Sequence, residues 1–227
     1  MADAQAAFET AGKQVRVYPG PDGCPAVYLH AYLDDQGKIE RLLRRNGCPA
    51  HSLVVITNLR WDDEMTPWDC PPLSEEDTPC HGQADSYLEW FSGTLMPQAE
   101  QYFAGPPAYR TIAGYSLAGL FALYSLYRTD IFSRAASVSG SLWYPRFLEF
   151  ATSHALHCDP ACLYLSLGDE ESRTGDPILD TGQARTEALA KHFNNLGIPT
   201  TFELNEGDHY TNPEKRTARG IQWMLQQ

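Results

Sequence analysis

Short apolar runs typical of β-strands alternate along this chain with runs of helical periodicity, and this alternation constrains the fold most. The strand-like runs lie at residues 14–18, 26–30, 53–57, 110–113, 135–139, 162–167 and 200–204. The helix-like runs lie at residues 39–45, 84–103, 117–127, 183–195 and 213–225. We expect the run at residues 117–127 to form an amphipathic helix. This order predicts an α/β fold with a mainly parallel central sheet and helices on both faces. Binding and catalytic residues of such sheets lie at the carboxyl ends of the strands.

The chain length of 227 residues suits one large α/β domain spanning residues 1–227, with no separate cap domain. Residues 58–82 interrupt the alternation, because they are rich in Trp, Pro and acidic residues and show no period. A loop of this length is usually functional. We therefore expect residues 58–82 to lie near a site.

Charge and hydropathy exclude several classes of partner. The formal net charge of −12 disfavours binding to nucleic acid or to an anionic membrane surface. We find no apolar run long enough to cross a bilayer, and residues 1–12 lack the pattern of a secretory leader. These observations predict a cytoplasmic protein, in which the six scattered cysteines are free thiols. The oligomeric state is not indicated.

The segment Gly114-Tyr115-Ser116-Leu117-Ala118-Gly119 joins a strand-like run to a helix-like run. A serine in such a turn is presented as a nucleophile, provided that its close neighbours are small. Ala118 stands where the common G-x-S-x-G pattern has glycine. We identify Ser116 as the candidate nucleophile, and the backbone N–H of Leu117 as the first candidate oxyanion donor, because the amides at the start of a helix are free.

The base is expected among the histidines that follow Ser116, since the catalytic residues of chains with such a nucleophile turn follow the order serine, acid, histidine. His209 lies directly after the last strand-like run and before the last helix-like run. The carboxyl edge of the sheet would place it beside Ser116. His154 and His157 precede a strand, and His192 lies within a helix, so His209 is the candidate base.

The acid is expected in the loop after residues 162–167, which reads Gly168-Asp169-Glu170-Glu171-Ser172. We choose Glu171, three residues after the glycine, where the loop turns back over the sheet edge. Asp169 is the alternative. The acid would orient the imidazole and stabilise its charged form without taking the proton.

Aromatic residues and a second amide complete the expected site. The backbone N–H of Tyr32, after the strand-like run that ends at His30, is the second candidate oxyanion donor. Trp143, Trp61 and Trp68 are candidate substrate contacts that suit an apolar or aromatic ester, and core packing is the alternative for each.

Two groups of possible metal ligands do not match a zinc spacing. They are His154, His157, Cys158 and Cys162, and a looser group of Cys70, Cys80 and His81. We therefore expect no metal.

Five segments together resemble the putative-esterase branch of the α/β-hydrolase superfamily, which includes esterase D and the siderophore-ester hydrolases. They are residues 27–31, 114–119, 139–143, 168–171 and 207–209. The resemblance implies a serine esterase without a cofactor, acting on a small-molecule ester through an acyl-enzyme. Residues 139–143 are most similar to the siderophore-ester hydrolases, although an acidic chain does not suit an anionic ferric siderophore.

Two alternatives to ester hydrolysis stay open from the sequence. An acyltransferase would use the same Ser116, Glu171 and His209, with an alcohol or a thiol in place of water. A non-catalytic hydrolase-fold binding protein is left open by Ala118 and by Ala31, which both stand where glycine is usual.

Overall fold

The computed structural model describes residues 6–33, 35–74 and 77–227. Residues 1–5, which belong to the segment inspected for a leader, lie outside this range, as do positions 75 and 76 of the segment 58–82. No helix in the described part of the chain is long and apolar enough to cross a membrane.

The centre of the fold is an eight-stranded sheet. Its strands are β1 (Ala6–Thr10), β2 (Lys13–Tyr18), β3 (Ala26–His30), β4 (Ser52–Thr57), β7 (Arg110–Tyr115), β8 (Arg134–Val138), β9 (Cys162–Gly168) and β10 (Thr200–Asn205). They lie in the order β1-β2-β4-β3-β7-β8-β9-β10. All pairs from β4 to β10 are parallel, and β2 pairs antiparallel with both β1 and β4. A mainly parallel sheet confirms the predicted α/β class.

Helices cover both faces of this sheet. One face packs on α1 (Lys38–Arg45) and α8 (Pro213–Leu225), which also contact each other. The other packs on α3 (Ala84–Trp90), α5 (Leu117–Ser125), α6 (Phe147–Ser153) and α7 (Gly182–Asn195). Neighbouring residues of the central strands serve opposite faces: Tyr28 joins the larger core, whereas Val27 and Leu29 join the smaller one.

The helix after the Ser116 turn differs from the prediction. Residues 117–127 were expected to form an amphipathic helix, but all nine residues of α5 are buried. The helix lies between the sheet and the elements that cover it, so it has no solvent face and no polar stripe. A helix buried all round is apolar all round.

The run at residues 84–103 is one helical rod with a defect. After α3, residues Phe91–Leu95 form a π-helical turn, and α4 (Met96–Glu100) continues the rod. Pro97 lacks an N–H and cannot close the regular bond to a carbonyl one turn earlier. The wider π turn is the local arrangement that a helix adopts at such a point.

Residues 58–82 contain short elements that periodicity did not reveal. They are α2 (Trp61–Glu64) and a two-stranded antiparallel ribbon of β5 (Asp69–Cys70) and β6 (Cys80–His81). The indole of Trp68 donates to Pro145 O at 2.9 Å, and the hydroxyl of Tyr144 donates to Trp68 O at 2.6 Å. These bonds attach the segment to the loop that follows β8.

Candidate active site

Ser116 occupies a strained turn between β7 and α5. Its backbone has φ 58° and ψ −126°, a region that residues with a Cβ rarely adopt. A Cβ at Gly114 would come within 2.6 Å of the Ala118 Cβ and would collide with the Ala118 backbone. Gly114 is therefore required for the tight turn, whereas Ala118 lies inside α5 and needs no special backbone freedom.

The end of β8 and its following loop hold the turn. The Ser116 N–H donates to Val138 O at 3.1 Å, and the Ser141 N–H donates to Ser116 O at 3.0 Å. The hydroxyl oxygens of Ser116 and Ser141 lie 3.3 Å apart. The nucleophile candidate is thus presented at the carboxyl edge of the sheet with a second hydroxyl beside it.

His209 lies in the loop between β10 and α8, and its ring contacts Glu171. The ring Nδ1 is 2.7 Å from Glu171 Oε2. The Tyr115 hydroxyl donates to the His209 carbonyl at 2.6 Å. Asp208 accepts from the N–H of Tyr210 and from the hydroxyl of Thr211. The loop is therefore shaped by its own side chains and attached to β7.

Glu171 is the carboxylate that reaches the imidazole. Its Oε1 accepts from the Gly168 N–H at 2.7 Å, and its side chain is 7% exposed. Burial raises the pKa of this carboxyl, but the hydrogen bonds and the charge of His209, with the bonds from Ser139 and Gly168, outweigh burial and leave the pKa below its ordinary value. Asp169 instead accepts the Gly207 N–H at 2.8 Å.

Arg216 of α8 is a buried cation behind the carboxylate. Its Nη1 donates to Glu171 Oε1 at 2.9 Å and to the Ser139 hydroxyl at 3.2 Å, and its Nη2 donates to Glu206 O at 2.8 Å. The side chain is only 4% exposed. Imidazole, carboxylate and guanidinium therefore form one connected line, in which Arg216 compensates the negative charge of Glu171 and the His209 ring hydrogen-bonds to it.

Ser116 and His209 line the same cavity without a direct bond. No hydrogen bond joins Ser116 Oγ to the His209 ring among the described residues, because Oγ lies against Ser141 instead. Catalytic hydrogen bonds are commonly long or misaligned before substrate binds.

The two backbone amides that the sequence singled out as oxyanion donors have no acceptor among the described residues. Neither the Leu117 N–H, at the start of α5, nor the Tyr32 N–H, two residues after β3, has a partner within residues 6–33, 35–74 and 77–227. The preceding amide, that of Ala31, donates to Ile56 O at 3.0 Å. Free N–H groups at these two positions are what an oxyanion requires.

The cavity at Ser116 has a volume of about 240 Å³. Ser116, Ser141 and His209 contribute its polar surface, and Trp143, Leu179 and Tyr210 contribute apolar surface. Trp143 therefore lies where the sequence predicted. Since a cavity of about 150 Å³ can hold benzene, the volume suits one aromatic ring or a short acyl chain.

The other two candidate tryptophans lie outside this cavity. Trp68 packs edge-on against Tyr124 and Phe150, and the Arg146 guanidinium lies 5.3 Å from its ring centroid. Trp61 contacts the ring of Tyr32 at 5.2 Å between centroids. For Trp68 the packing alternative describes the structure, because the long segment brings it beneath the β8 loop. Trp61 supports the Tyr32 loop.

A larger cavity, of about 520 Å³, lies at the start of β2 and the end of β4 and includes none of the residues around Ser116. Its charged groups are already paired: Lys13 Nζ is 2.9 Å from Glu64 Oε1, and Arg60 Nε is 3.1 Å from the same oxygen. Size alone therefore does not identify the functional site. No group of three or more His, Cys, Asp or Glu side chains suited to a metal ion occurs within the described ranges.

The sequence did not reveal three contributors to this arrangement. Arg216 lies in a helix-like run, where an arginine is usually expected to be solvent-exposed. Ser141 and Tyr115 act through contacts that join residues 25 and 94 positions apart. No local pattern encodes such contacts.

Comparison with known sequences gives a family match across most of the chain. The family described as Putative esterase matches residues 12–211. The protein YbbA of Bacillus subtilis, itself uncharacterized, is 25% identical over 214 residues, which are 89% of this chain and 86% of the relative.

Comparison with solved structures identifies the same fold. An IroE-like serine hydrolase from Shewanella oneidensis superposes with a TM-score of 0.80 at 18% identity, covering 97% of this chain and 79% of the other. The siderophore hydrolase EstA from Aspergillus nidulans superposes with a TM-score of 0.77 at 21% identity, covering 99% and 95%. At these identities the likeness concerns the fold.

Proposed function

The chain belongs to the putative-esterase family of α/β-hydrolases, and on this basis we propose that it is a serine carboxylesterase that hydrolyses small or aryl esters through an acyl-enzyme at Ser116. The observation that carries the proposal is the strained backbone of Ser116, at φ 58° and ψ −126°, beside a cavity shared with His209. Backbone strain of this kind persists where it serves a site.

In the proposed mechanism the Ser116 hydroxyl attacks the ester carbonyl while His209 Nε2 removes its proton. The contact between Nδ1 and Glu171 Oε2 supports this role, because it directs the other ring nitrogen toward the reacting groups. His209 then returns the proton to the leaving alkoxide. Water repeats the sequence on the acyl-enzyme and releases the acid.

The oxyanion of each tetrahedral intermediate is held, in this proposal, by the N–H groups of Leu117 and Tyr32. Both amides lack an acceptor within the described chain. An N–H that already had an internal partner would have to break that bond during the reaction, so free amides are preorganised for developing charge. Glu171 remains ionised throughout and stabilises the imidazolium.

The cavity supports a compact acyl or aryl group next to Trp143. A volume of about 240 Å³ is smaller than a pocket for a drug-sized ligand, which is roughly 300–1,000 Å³. The rest of a larger ester would extend past Tyr210, which is 84% exposed. Since solved structures of similar fold include siderophore hydrolases, an aryl ester of the siderophore kind is a specific candidate.

We further propose that the chain forms one catalytic domain and that the protein is cytoplasmic.

The test is hydrolysis of p-nitrophenyl acetate by the native protein and by Ser116→Ala. We expect the variant to lose roughly 10⁶-fold in kcat, with a residual catalysis of about 10³- to 10⁴-fold over water from the oxyanion donors and binding. Ser153→Ala, which replaces an exposed serine of α6, should keep the native rate. Equal rates for the native protein and Ser116→Ala would refute the serine mechanism.

The acid is tested by a matched pair of amide substitutions. Glu171→Gln should lower kcat by about 10²- to 10⁴-fold, because the imidazolium loses its counter-charge and the ring can adopt the wrong tautomer. Asp169→Asn should have a much smaller effect, since Asp169 bonds to Gly207. A larger loss in Asp169→Asn would assign the acid to that residue instead.

The alternative of acyl transfer is tested by adding an alcohol to the reaction. Formation of a new ester would indicate acyl transfer on the same residues.

A further inference from the structure

Two cysteines face each other across the β5–β6 ribbon. Cys70 is directly opposite Cys80 in this antiparallel pair, and both are free thiols. Opposite residues of an antiparallel pair have Cα atoms about 4.5–5.5 Å apart and side chains on the same side. A disulfide requires a Cα separation of roughly 4.4–6.8 Å. The backbone is therefore already in a position to accept the bond.

The two thiols also share a neighbour. Tyr144, whose hydroxyl donates to Trp68 O at 2.6 Å, lowers the pKa of both thiols, so Cys70 and Cys80 lie near the same side chain. No other two cysteines stand opposite each other in the strand pairs of the described residues. The pairing is thus specific to the ribbon.

We propose that Cys70 and Cys80 form a reversible oxidative cross-linking site whose oxidant is a low-molecular-weight disulfide. The Cys80 thiolate, which is less buried than Cys70, attacks one sulfur of the oxidant and releases one small thiol. Cys70 then attacks the Cys80 sulfur of this mixed disulfide and releases the second small thiol. The protein loses two hydrogens, and the oxidant is reduced to two thiols that take up the two protons.

The surroundings of the ribbon determine how fast this exchange proceeds. Burial, together with the charges of Asp62 and Asp63, raises the pKa of Cys80 to about 11 against the opposing effect of Tyr144. Burial also raises the pKa of Cys70, against the opposing effects of Arg146 and Tyr144. Because the thiolate is the nucleophile, we expect slow cross-linking at neutral pH and a rate that rises about tenfold per pH unit below the thiol pKa.

The cross-link would close residues 70–80 into a ring. The ribbon is already attached to the β8 loop by the bonds of Trp68 and Tyr144, so the ring would form with little movement of the folded chain. Restriction of the unfolded chain should then raise Tm by about 5–10 °C. This expectation is independent of the proposed esterase activity.

The experiment incubates the full chain with oxidised glutathione at mildly alkaline pH and counts thiols after denaturation. We expect the count to fall from six to four, with a mass lower by two hydrogens and no bound glutathione. Peptide mapping should find Cys70 joined to Cys80, and dithiothreitol should restore six thiols. The map uses the native chain and needs no variant.

Two variants separate this site from general thiol oxidation. Cys80→Ser should form no internal disulfide, whereas Cys48→Ser should still lose two thiols. A stable glutathione adduct without an internal bond would overturn the proposal. So would a disulfide that involves any of the other four cysteines, or an unchanged thiol count in the native chain.

Discussion

Arg216 stands behind the proposed acid and holds it without reaching the cavity. Its guanidinium donates to Glu171 Oε1 and to the Glu206 carbonyl, and it is almost fully buried. A cation in contact with a carboxylate favours the ionised form. We therefore assign Arg216 as a positioning residue that keeps Glu171 charged and aimed at His209.

We predict that Arg216→Met lowers kcat by about 10- to 100-fold with little change in KM. Loss of a buried positive charge favours protonation of the groups beside it, so the acid limb of the pH–rate profile should move to higher pH. Arg219→Met is the control, since Arg219 lies on the same helix with an exposed side chain paired to Glu203. An acid limb that is the same in both variants would show that Arg216 is merely structural.

At this scale the sequence was informative wherever chain order carries meaning. The order of the strand-like runs selected Ser116, His209 and the loop of the acid, in which Glu171 was chosen by its position and Asp169 stayed the alternative. The structure brings Ser116, Glu171 and His209 to one cavity. Arg216 could not be selected, because a helical arginine is usually exposed and its burial depends on a carboxylate 45 positions away. Ala118, a departure from the glycine pattern, proved to lie in ordinary helix.

Among the elements, α8 is held at its carboxyl end by an arginine at the amino end of the interior strand β8. Arg134, the first residue of β8, donates to Met224 O at 2.6 Å and to Gln227 O at 3.1 Å. Its guanidinium also lies 4.3 Å from the centroid of the Tyr109 ring. A cation at this end of a helix bonds to carbonyls that have no partner in the helix.

We predict that Arg134→Met lowers the free energy of unfolding by about 1–3 kcal/mol, measured by urea denaturation. The esterase rate of the folded variant should not change, because Arg134 lies at the amino end of its strand, away from Ser116. Arg128→Met, which removes an exposed ion pair with Asp85, should cost less than about 1 kcal/mol. Equal losses in the two variants would contradict a capping role for Arg134.

Elements were predictable where their periodicity was uniform. Residues 26–30 and 213–225 match β3 and α8 residue for residue. The edge strand β1 was missed because its alternation is half-exposed and weakly apolar. The π-helical turn at Phe91–Leu95 was missed because the apolar spacing continues through it, although Pro97 marked the place.

At the scale of the whole molecule, one buried imidazole affects how stability depends on pH. His30, at the end of β3, is fully enclosed by the rings of Tyr87, Phe91 and Phe121. Neither ring nitrogen has a hydrogen-bond partner in the described part of the chain. Burial lowers the pKa of His30 from 6.5 to about 3. The folded protein therefore holds this ring neutral.

This lowered pKa makes folding sensitive to acid. Between pH 6.5 and about pH 3 the His30 ring binds a proton in the unfolded chain but not in the folded chain. The free energy of unfolding therefore falls as pH falls through this window. We predict that His30→Phe loses about 2 kcal/mol less than the native protein between roughly pH 8 and pH 5. Urea denaturation at both pH values measures the difference.

The control for this prediction is His157→Phe, since His157 is exposed. Its stability should follow the native pH dependence. If His30→Phe shows the same acid sensitivity as His157→Phe, the buried ring is not the group responsible, and the aromatic cage would have to admit the charged imidazole.

At the scale of the molecule, the sheet and its covering helices were predictable because parallel strands impose a long, regular alternation. The course of residues 58–82 was not, because its placement depends on Trp68 and Tyr144 bonding across 76 positions. The antiparallel position of β2 beside β4 was likewise invisible, since pairing partners leave no local trace.

The proposed catalytic groups come from the ends of β3, β7, β9 and β10. Strand β10 lies at the sheet edge, and His209 lies 93 positions after Ser116. Contacts of such long range form late in folding, because loop closure must precede them. A collapsed intermediate that lacks the β9–β10 pair would have a formed Ser116 turn and no base beside it. During refolding, ester hydrolysis should therefore recover only when the last strand docks. This recovery should come later than the burial of the hydrophobic core.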